Sequence, residues 1–309
     1  MKRWLLACVV AAPAVRLLAQ TPAPSPASIP VDVLLTRAAD YVDRFERSIS
    51  TAVVEERYVQ IIKRFSGPPK EPDRGHLAWA DDIAAVRPDV IVKQRRQTRS
   101  DVLLVQLPNQ IWTAFRDTFE VNGGSRRNRD ERLRDLFLDQ NDDSQRQLRR
   151  INEASAEWNL GRFYRDINLP TTGLFLLHAR NHQRLAFRAG DMDDSGAGAC
   201  RIVTFKESAR PTIVKSRRGY DVPLSGRACI DAAGAVLNTR LDLDGRYTMR
   251  GAIDVTYERH ERLDVLVPSR MWEWYALPES GAETDWPMYV EGMAIYSNLR
   301  LFSVTTRVK

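Results

Sequence analysis

Apolar and polar residues alternate most regularly between Gly226 and Val308. In one segment of this region, Leu237, Thr239, Leu241 and Leu243 alternate with Asn238, Arg240, Asp242 and Asp244. A period of two residues predicts strands with one buried face and one solvated face. Short connections such as Asp244-Gly245 indicate an antiparallel meander. The predicted strands are Arg201–Glu207, Thr212–Lys215, Arg227–Asp231, Val236–Asp244, Tyr247–Glu258, Val265–Ala276 and Tyr289–Thr306.

The first half of the chain mixes helix and strand. Apolar residues recur at helical spacing in Val31–Ser48, and the β-branched residues of Thr51–Phe65 then favour a strand over a continued helix. The helix would bury Leu34, Ala38, Tyr41, Val42, Phe45 and Ile49. Further strands are predicted at Val90–Val92, Asp101–Leu107 and Ile111–Val121, and helices at Asp130–Asp139, Asp142–Leu160 and Leu169–His178.

These elements predict the fold class α+β. We expect a large curved antiparallel sheet with an N-terminal helix, and a helical insertion at about residues 128–182 that covers one face. No internal repeat and no domain boundary is evident, so residues 31–309 are expected to form a single domain.

The N-terminal segment predicts export. Two basic residues precede the apolar run Trp4–Val15, and Ala19 offers a small residue for cleavage. This order is typical of a secretory signal peptide, and the run is too short to span a bilayer. We expect residues 1–19 to be removed and the Pro/Ala/Ser-rich residues 20–30 to form a tether. A lipoprotein signal at Cys8 is the alternative, although its apolar region would be very short.

The charge of the chain does not indicate a nucleic-acid partner. The chain has 46 basic and 40 acidic residues, and three of the basic residues lie within residues 1–19. The exported chain therefore carries a net charge of only about +3. The arginines between Arg126 and Arg150 are interleaved with acidic residues, which is typical of solvated helix faces rather than of a basic stripe.

Two cysteines, Cys200 and Cys229, remain once the segment that contains Cys8 is removed. An even number of cysteines in an oxidising compartment favours a disulfide between them. Two buried thiols are the alternative, because a chain of this length can build a core without a covalent link.

Motifs for catalysis are missing from the sequence. The chain has no Gly-x-Ser-x-Gly elbow, no phosphate-binding glycine loop and no Cys-x-x-Cys pair. Glu55 and Glu56 are adjacent in a predicted strand, so they point to opposite faces and do not form an acid/base pair with each other. We therefore expect neither an enzyme nor a cofactor.

Two runs resemble metal sites without completing them. His178 and His182 have the i, i+4 spacing of a ligand pair, but no Glu follows the first and no third ligand is evident. The run Asp191–Gly196 resembles the start of a calcium loop, yet Ile202 stands where such a loop requires Glu. We expect no metal, but a polar helix end at the histidines and a plain hairpin loop after Asp191.

Aromatic residues are concentrated in the last two predicted strands. Val265–Ala276 is apolar on both faces, so its second face needs a cover that helices or a ligand could supply. The functional interpretation is a concave apolar cavity for an acyl chain. The residues expected to line this cavity are Trp272, Trp274, Tyr289, Tyr296, Phe137 and Trp158.

Two parts of the chain carry a resemblance to a known family. The helix Leu34–Phe45 leads into the strand Val53–Ile62, and the late meander contains Gly226–Leu237, Ile253–Tyr257 and Leu266–Met271. This arrangement resembles the periplasmic lipoprotein-carrier (outer-membrane lipoprotein-sorting) superfamily, over the first helix–strand unit and about residues 200–308. It also resembles uncharacterised exported bacterial proteins of similar length.

The resemblance implies an unclosed β-barrel lidded by helices, whose apolar cavity takes acyl chains from one membrane and releases them at another without a cofactor. The helical segment at 122–182 is longer than the carriers' lid helices, so no lipid-contacting residue is carried over. We expect a periplasmic or secreted carrier without catalysis, whose partner is an acyl chain or a lipidated protein, with transient membrane contact. The alternative is an envelope interaction module that docks proteins on the sheet, and a hydrolase ranks third.

Overall fold

Strands make up most of the chain that the computed structural model describes. The described residues are 25–65, 90–106, 112–126, 128, 130–132, 144–161, 165–194, 198–216, 219–245, 249–276 and 288–301. The strands are β1 (Ala52–Phe65), β2 (Val90–Gln106), β3 (Trp112–Val121), β4 (Gly124–Ser125), β5 (Leu185–Asp193), β6 (Cys200–Glu207), β7 (Val214–Lys215), β8 (Asp221–Val222), β9 (Leu224–Ile230), β10 (Val236–Gly245), β11 (Met249–Arg259), β12 (Leu266–Ala276) and β13 (Met288–Leu301).

Eleven of these strands form one antiparallel sheet in the order β4-β3-β2-β1-β13-β12-β11-β10-β9-β6-β5, whose two ends do not pair with each other. The expectation of a large, unclosed antiparallel sheet is therefore confirmed. The chain's first and last strands lie side by side, with the register running from Ala52 opposite Leu301 to Arg64 opposite Met288. This pairing joins the early strands to the late meander. Strands β7 and β8 form a separate two-stranded sheet.

The helix α1 (Val31–Ile49) lies on one face of the sheet, which we call the inner face. All six apolar positions predicted for this helix are buried. Two polar contacts fix its course: Arg37 Nη1 donates to the carbonyl of Ala232 at 2.6 Å, and the Tyr41 hydroxyl accepts from the amide of Leu266 at 3.0 Å. No helix within the described residues is long and apolar enough to cross a membrane.

Alternation along the strands defines the two faces. Residues directly opposite each other in an antiparallel pair point to the same face. On β1, Glu56, Tyr58 and Gln60 point to the inner face, and Val59 and Ile61 point to the opposite, outer face.

The predicted alternation of β10 is confirmed, because Leu237, Thr239, Leu241 and Leu243 are all buried. The outer face of β10 carries polar partners, including an ion pair between Arg240 and Asp254 at 3.2 Å. The inner face therefore holds the core in this part of the sheet.

The predicted helical insertion contributes to both faces rather than to one. Within its described part, α2 (Ser144–Ala156) packs Ile151 against Phe115. On β3, Arg116 lies opposite Val102, and both point to the inner face. The preceding residue, Phe115, therefore points to the outer face. The chain then crosses to the inner face, where α3 (Thr172–Phe175) and a 3-10 helix (Ala179–Arg184) follow. Residues 133–143 lie outside the described residues.

Three local features stabilise the late meander. A disulfide joins Cys200 on β6 to Cys229 on the neighbouring strand β9, with the Cα atoms 5.4 Å apart. Gly234 closes the β9–β10 turn at φ +92°, and a Cβ there would lie 2.5 Å from the backbone of Arg37. Glycine is therefore required both for the turn and for the approach of α1. Arg201 donates to the carbonyl of Ile29 at 2.8 Å, which docks the end of the expected tether on β6.

Candidate functional site

Three of the aromatic residues expected in a cavity lie on the outer face. Trp272 and Trp274 on β12 stand opposite Met293 and Glu291 of β13, and Tyr289 stands opposite Ala276. The rings of Trp274 and Tyr289 are 6.4 Å apart. Tyr289 is buried, whereas the two tryptophans are half-buried. The same face holds a buried ion pair between Lys63 Nζ and Glu291 Oε2 at 2.5 Å.

The other described members of that set lie on the inner face. The Tyr296 hydroxyl donates to Glu56 Oε1 at 2.8 Å. Trp158 follows α2, and its carbonyl accepts from Gln60 Nε2 at 3.0 Å and from Arg96 Nη1 at 3.1 Å. Phe137 lies outside the described residues. The structure thus divides the predicted set between two faces, and the described members do not line a single cavity.

The inner face carries a layer of buried polar groups that the sequence did not predict. We call it the polar layer. Its members are shared among β1, β3, β12, β13 and the segment after α2. They are Glu56, Tyr58, Gln60, Arg116, Arg165, Asn168, Glu273, Tyr275 and Tyr296, each at most 7% exposed.

One half of the polar layer is built on the Glu56 carboxylate. Arg116 donates to it through Nε at 2.5 Å and through Nη2 at 2.9 Å, in the two-point geometry that guanidinium and carboxylate groups favour. Arg116 Nη2 also donates to the carbonyl of Asn168 at 2.7 Å. The guanidinium lies over the ring of Tyr58, 4.9 Å from its centroid. The pair thus joins the sheet to the segment that crosses it.

The second half is built on the Glu273 carboxylate. The hydroxyl of Tyr58 donates to Oε1, and that of Tyr275 donates to Oε2 at 2.8 Å. Asn168 Nδ2 reaches the Tyr58 oxygen at 3.2 Å. Arg165 places its Nε 3.9 Å from Glu273 Oε1, with its guanidinium over the Tyr275 ring at 5.0 Å. Two carboxylates therefore face two guanidiniums, and the buried charges balance.

Gln60 fixes the chain above the sheet. Its Oε1 accepts from the amide of Leu160 at 2.8 Å and from Arg165 Nη2 at 2.7 Å. Arg165 Nη1 in turn donates to the carbonyl of Leu160 at 2.7 Å. Because buried polar groups are costly unless they are paired, this network specifies one position for the crossing segment.

Burial determines the protonation of the tyrosines in this layer. Burial raises the pKa values of Tyr58, Tyr275 and Tyr296 well above the ordinary value, and the nearby carboxylates raise them further. Their hydroxyls therefore stay protonated and donate. For Arg116, burial opposes the charged form, but the charge of Glu56 and its hydrogen bonds raise the pKa above the ordinary value. The guanidinium of Arg116 therefore stays charged.

Next to the polar layer, between α1 and the sheet, lies an apolar recess. Two of its lining residues adjoin the polar layer: Val54 lies two residues from Glu56 on β1, and Val102 lies opposite Arg116. The polar layer therefore forms one end of the recess. The cavity volume of the recess is about 20 Å³, which is enough for a water molecule. The lining residues are Phe45, Ile49, Ala52, Val54, Val102, Leu103, Leu104, Ala114, Pro170, Thr171, Val267, Pro268 and Leu299.

The histidine pair noted in the sequence separates in space. His182 Nε2 lies 2.9 Å from the carbonyl of Leu177, and its ring meets Phe187 edge-on at 5.3 Å. His178 instead faces α1, with its Nε2 3.3 Å from both Asp43 Oδ1 and Glu46 Oε2. Strands β5 and β6 pair as antiparallel neighbours, as expected for a hairpin, but β5 continues to Asp193, so the strand extends into the predicted loop.

A signal for part of the polar layer is present in the sequence. Glu56 and Gln60 share a face with Tyr58 in a strand that is otherwise apolar at alternate positions. Glu55 points outward and pairs with Arg99 at 2.6 Å, as adjacent residues of a strand should. A charged residue at a position whose neighbours are buried indicates a distant partner, but nothing local identifies Arg116.

Comparisons with known proteins identify a similar solved structure. No protein-family model matches the chain, and none of the curated proteins matches it. Among solved structures, the chain is similar to an outer membrane lipoprotein-sorting protein domain from Vibrio parahaemolyticus, with 7% sequence identity and a TM-score of 0.33. The match covers 87% of this chain and 95% of that chain.

Proposed function

We propose that this protein is an exported carrier that binds an acyl chain of a lipid or lipidated protein in the apolar recess beneath α1. The recess supports the proposal because Thr171 is the only polar residue among the thirteen lining residues that the structure describes. Ligand sites of this kind are mainly apolar, with few polar groups. The same lining supports the expected partner, a lipid or lipidated protein.

Binding requires the recess to widen. Ligand sites usually enclose several hundred Å³, far more than the recess offers in this conformation. Phe45 and Ile49 come from α1, so movement of the C-terminal half of α1 would enlarge the recess without disturbing the sheet. Along this half, the polar contacts from α1 to the body within the described residues are those of Tyr41, Asp43 and Glu46. The remaining packing is apolar, which an acyl chain can replace at little cost.

The experiment is lipid binding by the exported chain. The chain purified from the periplasm is analysed by native mass spectrometry with lipid extraction, and then titrated with a fluorescent fatty acid. Leu299→Glu places a carboxylate in the recess wall and should weaken fatty-acid binding at least about tenfold. The matched control is Val33→Glu, because Val33 is exposed on α1 and outside the recess. No co-purifying lipid and no fatty-acid binding would refute the proposal, as would equal loss in both variants.

The outer face supports a second candidate, an envelope module that docks a protein partner. Trp272 and Trp274 are half-buried there, while the neighbouring strand β11 carries Asp254 and Thr256 outward. Aromatic residues are enriched in protein interfaces. The double variant Trp272→Ala/Trp274→Ala separates the two functions. It should leave fatty-acid binding by the recess unchanged. If the outer face docks an envelope protein, the same variant should weaken binding to that partner.

A further inference from the structure

A cluster of three ligand-type side chains lies where α1 meets the segment after α3. Asp43 and Glu46 are three residues apart, so they lie on the same side of α1. His178 approaches from the other segment and places Nε2 3.3 Å from one oxygen of each carboxylate. One ligand atom from each residue lies within 4.8 Å of the others.

The spacing fits a tetrahedral metal site. Two ligand atoms that are each 2.0–2.1 Å from a tetrahedral Zn²⁺ lie about 3.3 Å apart. Both nitrogen–oxygen distances at His178 have this value. Imidazole and carboxylate together are a common ligand set for zinc, whereas calcium and magnesium favour oxygen ligands alone.

The burial of Glu46 points independently to a missing cation. Glu46 is 5% exposed, and its Oε1 has no hydrogen-bond partner among the residues that the structure describes. Within the described part of the chain, Glu46 has no ion pair with lysine or arginine, and one imidazole faces two carboxylates. A buried carboxylate with an unpaired oxygen is costly unless something neutralises it. A divalent cation would neutralise the Glu46 carboxylate, with either Oε1 or Oε2 as its ligand.

We propose that Asp43, Glu46 and His178 bind a divalent transition metal, with Zn²⁺ as the matching ion. Three protein ligands leave the fourth position to water, and the Asp43 side chain is 46% exposed, which opens this position to solvent. The metal fastens the C-terminal half of α1 to the segment that follows α3. The other ligand-type cluster, Asp193 with Cys200 and Cys229, does not qualify because its cysteines form the disulfide.

The proposal is tested without any lipid. The tag-free chain is treated with EDTA, dialysed and titrated with ZnCl₂ by calorimetry, and its melting temperature is measured with and without zinc. We expect one zinc per chain and a higher melting temperature when zinc is bound. Co²⁺ should give a visible absorption band from nitrogen and oxygen ligands.

Matched variants locate the site. His178→Gln and Asp43→Asn should each weaken zinc binding by about 10- to 100-fold or more. Two control variants should leave the zinc affinity unchanged. His182→Gln changes a histidine on the same segment, and Asp40→Asn changes an exposed carboxylate one turn earlier on α1. Circular dichroism in EDTA verifies folding, and Asp43→Asn decides the test if His178→Gln fails to fold. Equal zinc affinity in all four variants, or no saturable binding below about 1 mM, would refute the site and leave a histidine in contact with two carboxylates.

Discussion

Replacing Arg116 with Met tests whether the polar layer is a compensated charge network. The substitution keeps an unbranched side chain of similar length but removes both hydrogen bonds to Glu56 and the one to the carbonyl of Asn168. Glu56 is fully buried and keeps only the Tyr296 hydroxyl as a donor among the described residues. The carboxylate is therefore left as an uncompensated buried charge.

The expected cost follows from that charge. Breaking a buried ion pair by removing one partner destabilises proteins by roughly 3–5 kcal/mol. The double variant Arg116→Met/Glu56→Gln removes both charges, so it should cost clearly less than the single variant. Because the pKa of Arg116 is raised, the arginine stays charged in the folded state throughout the neutral range.

Denaturant unfolding followed by circular dichroism measures these free energies, with the midpoint and slope fitted separately. Arg126→Met is the control, because Arg126 forms an ion pair with Glu157 at 3.0 Å that is partly exposed. An exposed pair contributes about 0–1 kcal/mol. The reasoning is wrong if Arg116→Met costs no more than this control, or if the double variant is as unstable as the sum of its single variants.

Three further perturbations follow from the packing. Gly292→Ala should lower the free energy of unfolding by roughly 1–3 kcal/mol, because a Cβ there would lie 2.7 Å from the Tyr58 hydroxyl. The control is Gly124→Ala, which should be near neutral in the same unfolding assay because a Cβ there makes only ordinary contact. The raised pKa values of the three polar-layer tyrosines contribute stability below pH about 10 that is lost as pH rises further, since only the unfolded chain ionises them. The phenolate absorbance of these three tyrosines should therefore appear together with the change in circular dichroism, and full phenolate absorbance in a still-folded chain would contradict this. The disulfide between Cys200 and Cys229 closes a 29-residue separation, so replacing both with Ser should cost about 3–4 kcal/mol, and an unchanged denaturation midpoint would speak against the bond.

The late strands could be predicted from the sequence because their patterns are local. β10 and β11 each alternate apolar and polar positions and follow each other closely in the sequence, so neighbouring strands pair with little choice of partner. The predicted strand Thr212–Lys215 is the exception. Only Val214–Lys215 is a strand, and it pairs with β8 outside the main sheet.

The early strands were harder to predict, since their inner face is partly polar. β2 runs from Val90 to Gln106 without a break, where the sequence indicated two shorter strands. Its middle contains Thr98 and Ser100, which are buried opposite the polar residues of β1. A polar stretch is predicted as a loop when it is buried only through residues distant in the sequence. Hydrophobic periodicity therefore could not identify the middle of this strand.

The polar layer was unpredictable because its partners are far apart in the sequence. Glu56 and Arg116 are 60 residues apart, and Tyr58 and Glu273 are 215 residues apart. Only the pairing of β1 with β13, and of β13 with β12, brings them together. The same pairing separates the aromatic residues. β12 carries large apolar residues on both faces, so the sequence could not show that Trp272 points away from Tyr296.

The distribution of polar contacts indicates which element of the inner face can move. The segment after α2 is held by the ion pairs and hydrogen bonds of the polar layer, and shifting it would expose or separate buried charges at a cost of several kcal/mol. The C-terminal half of α1 is held mainly by apolar packing, which an acyl chain can replace. Opening of the recess should therefore start at α1, and zinc bound by Asp43, Glu46 and His178 would oppose it. If both proposals hold, fatty-acid binding by the zinc-loaded chain should be slower than by the EDTA-treated chain, and the difference should disappear in Asp43→Asn.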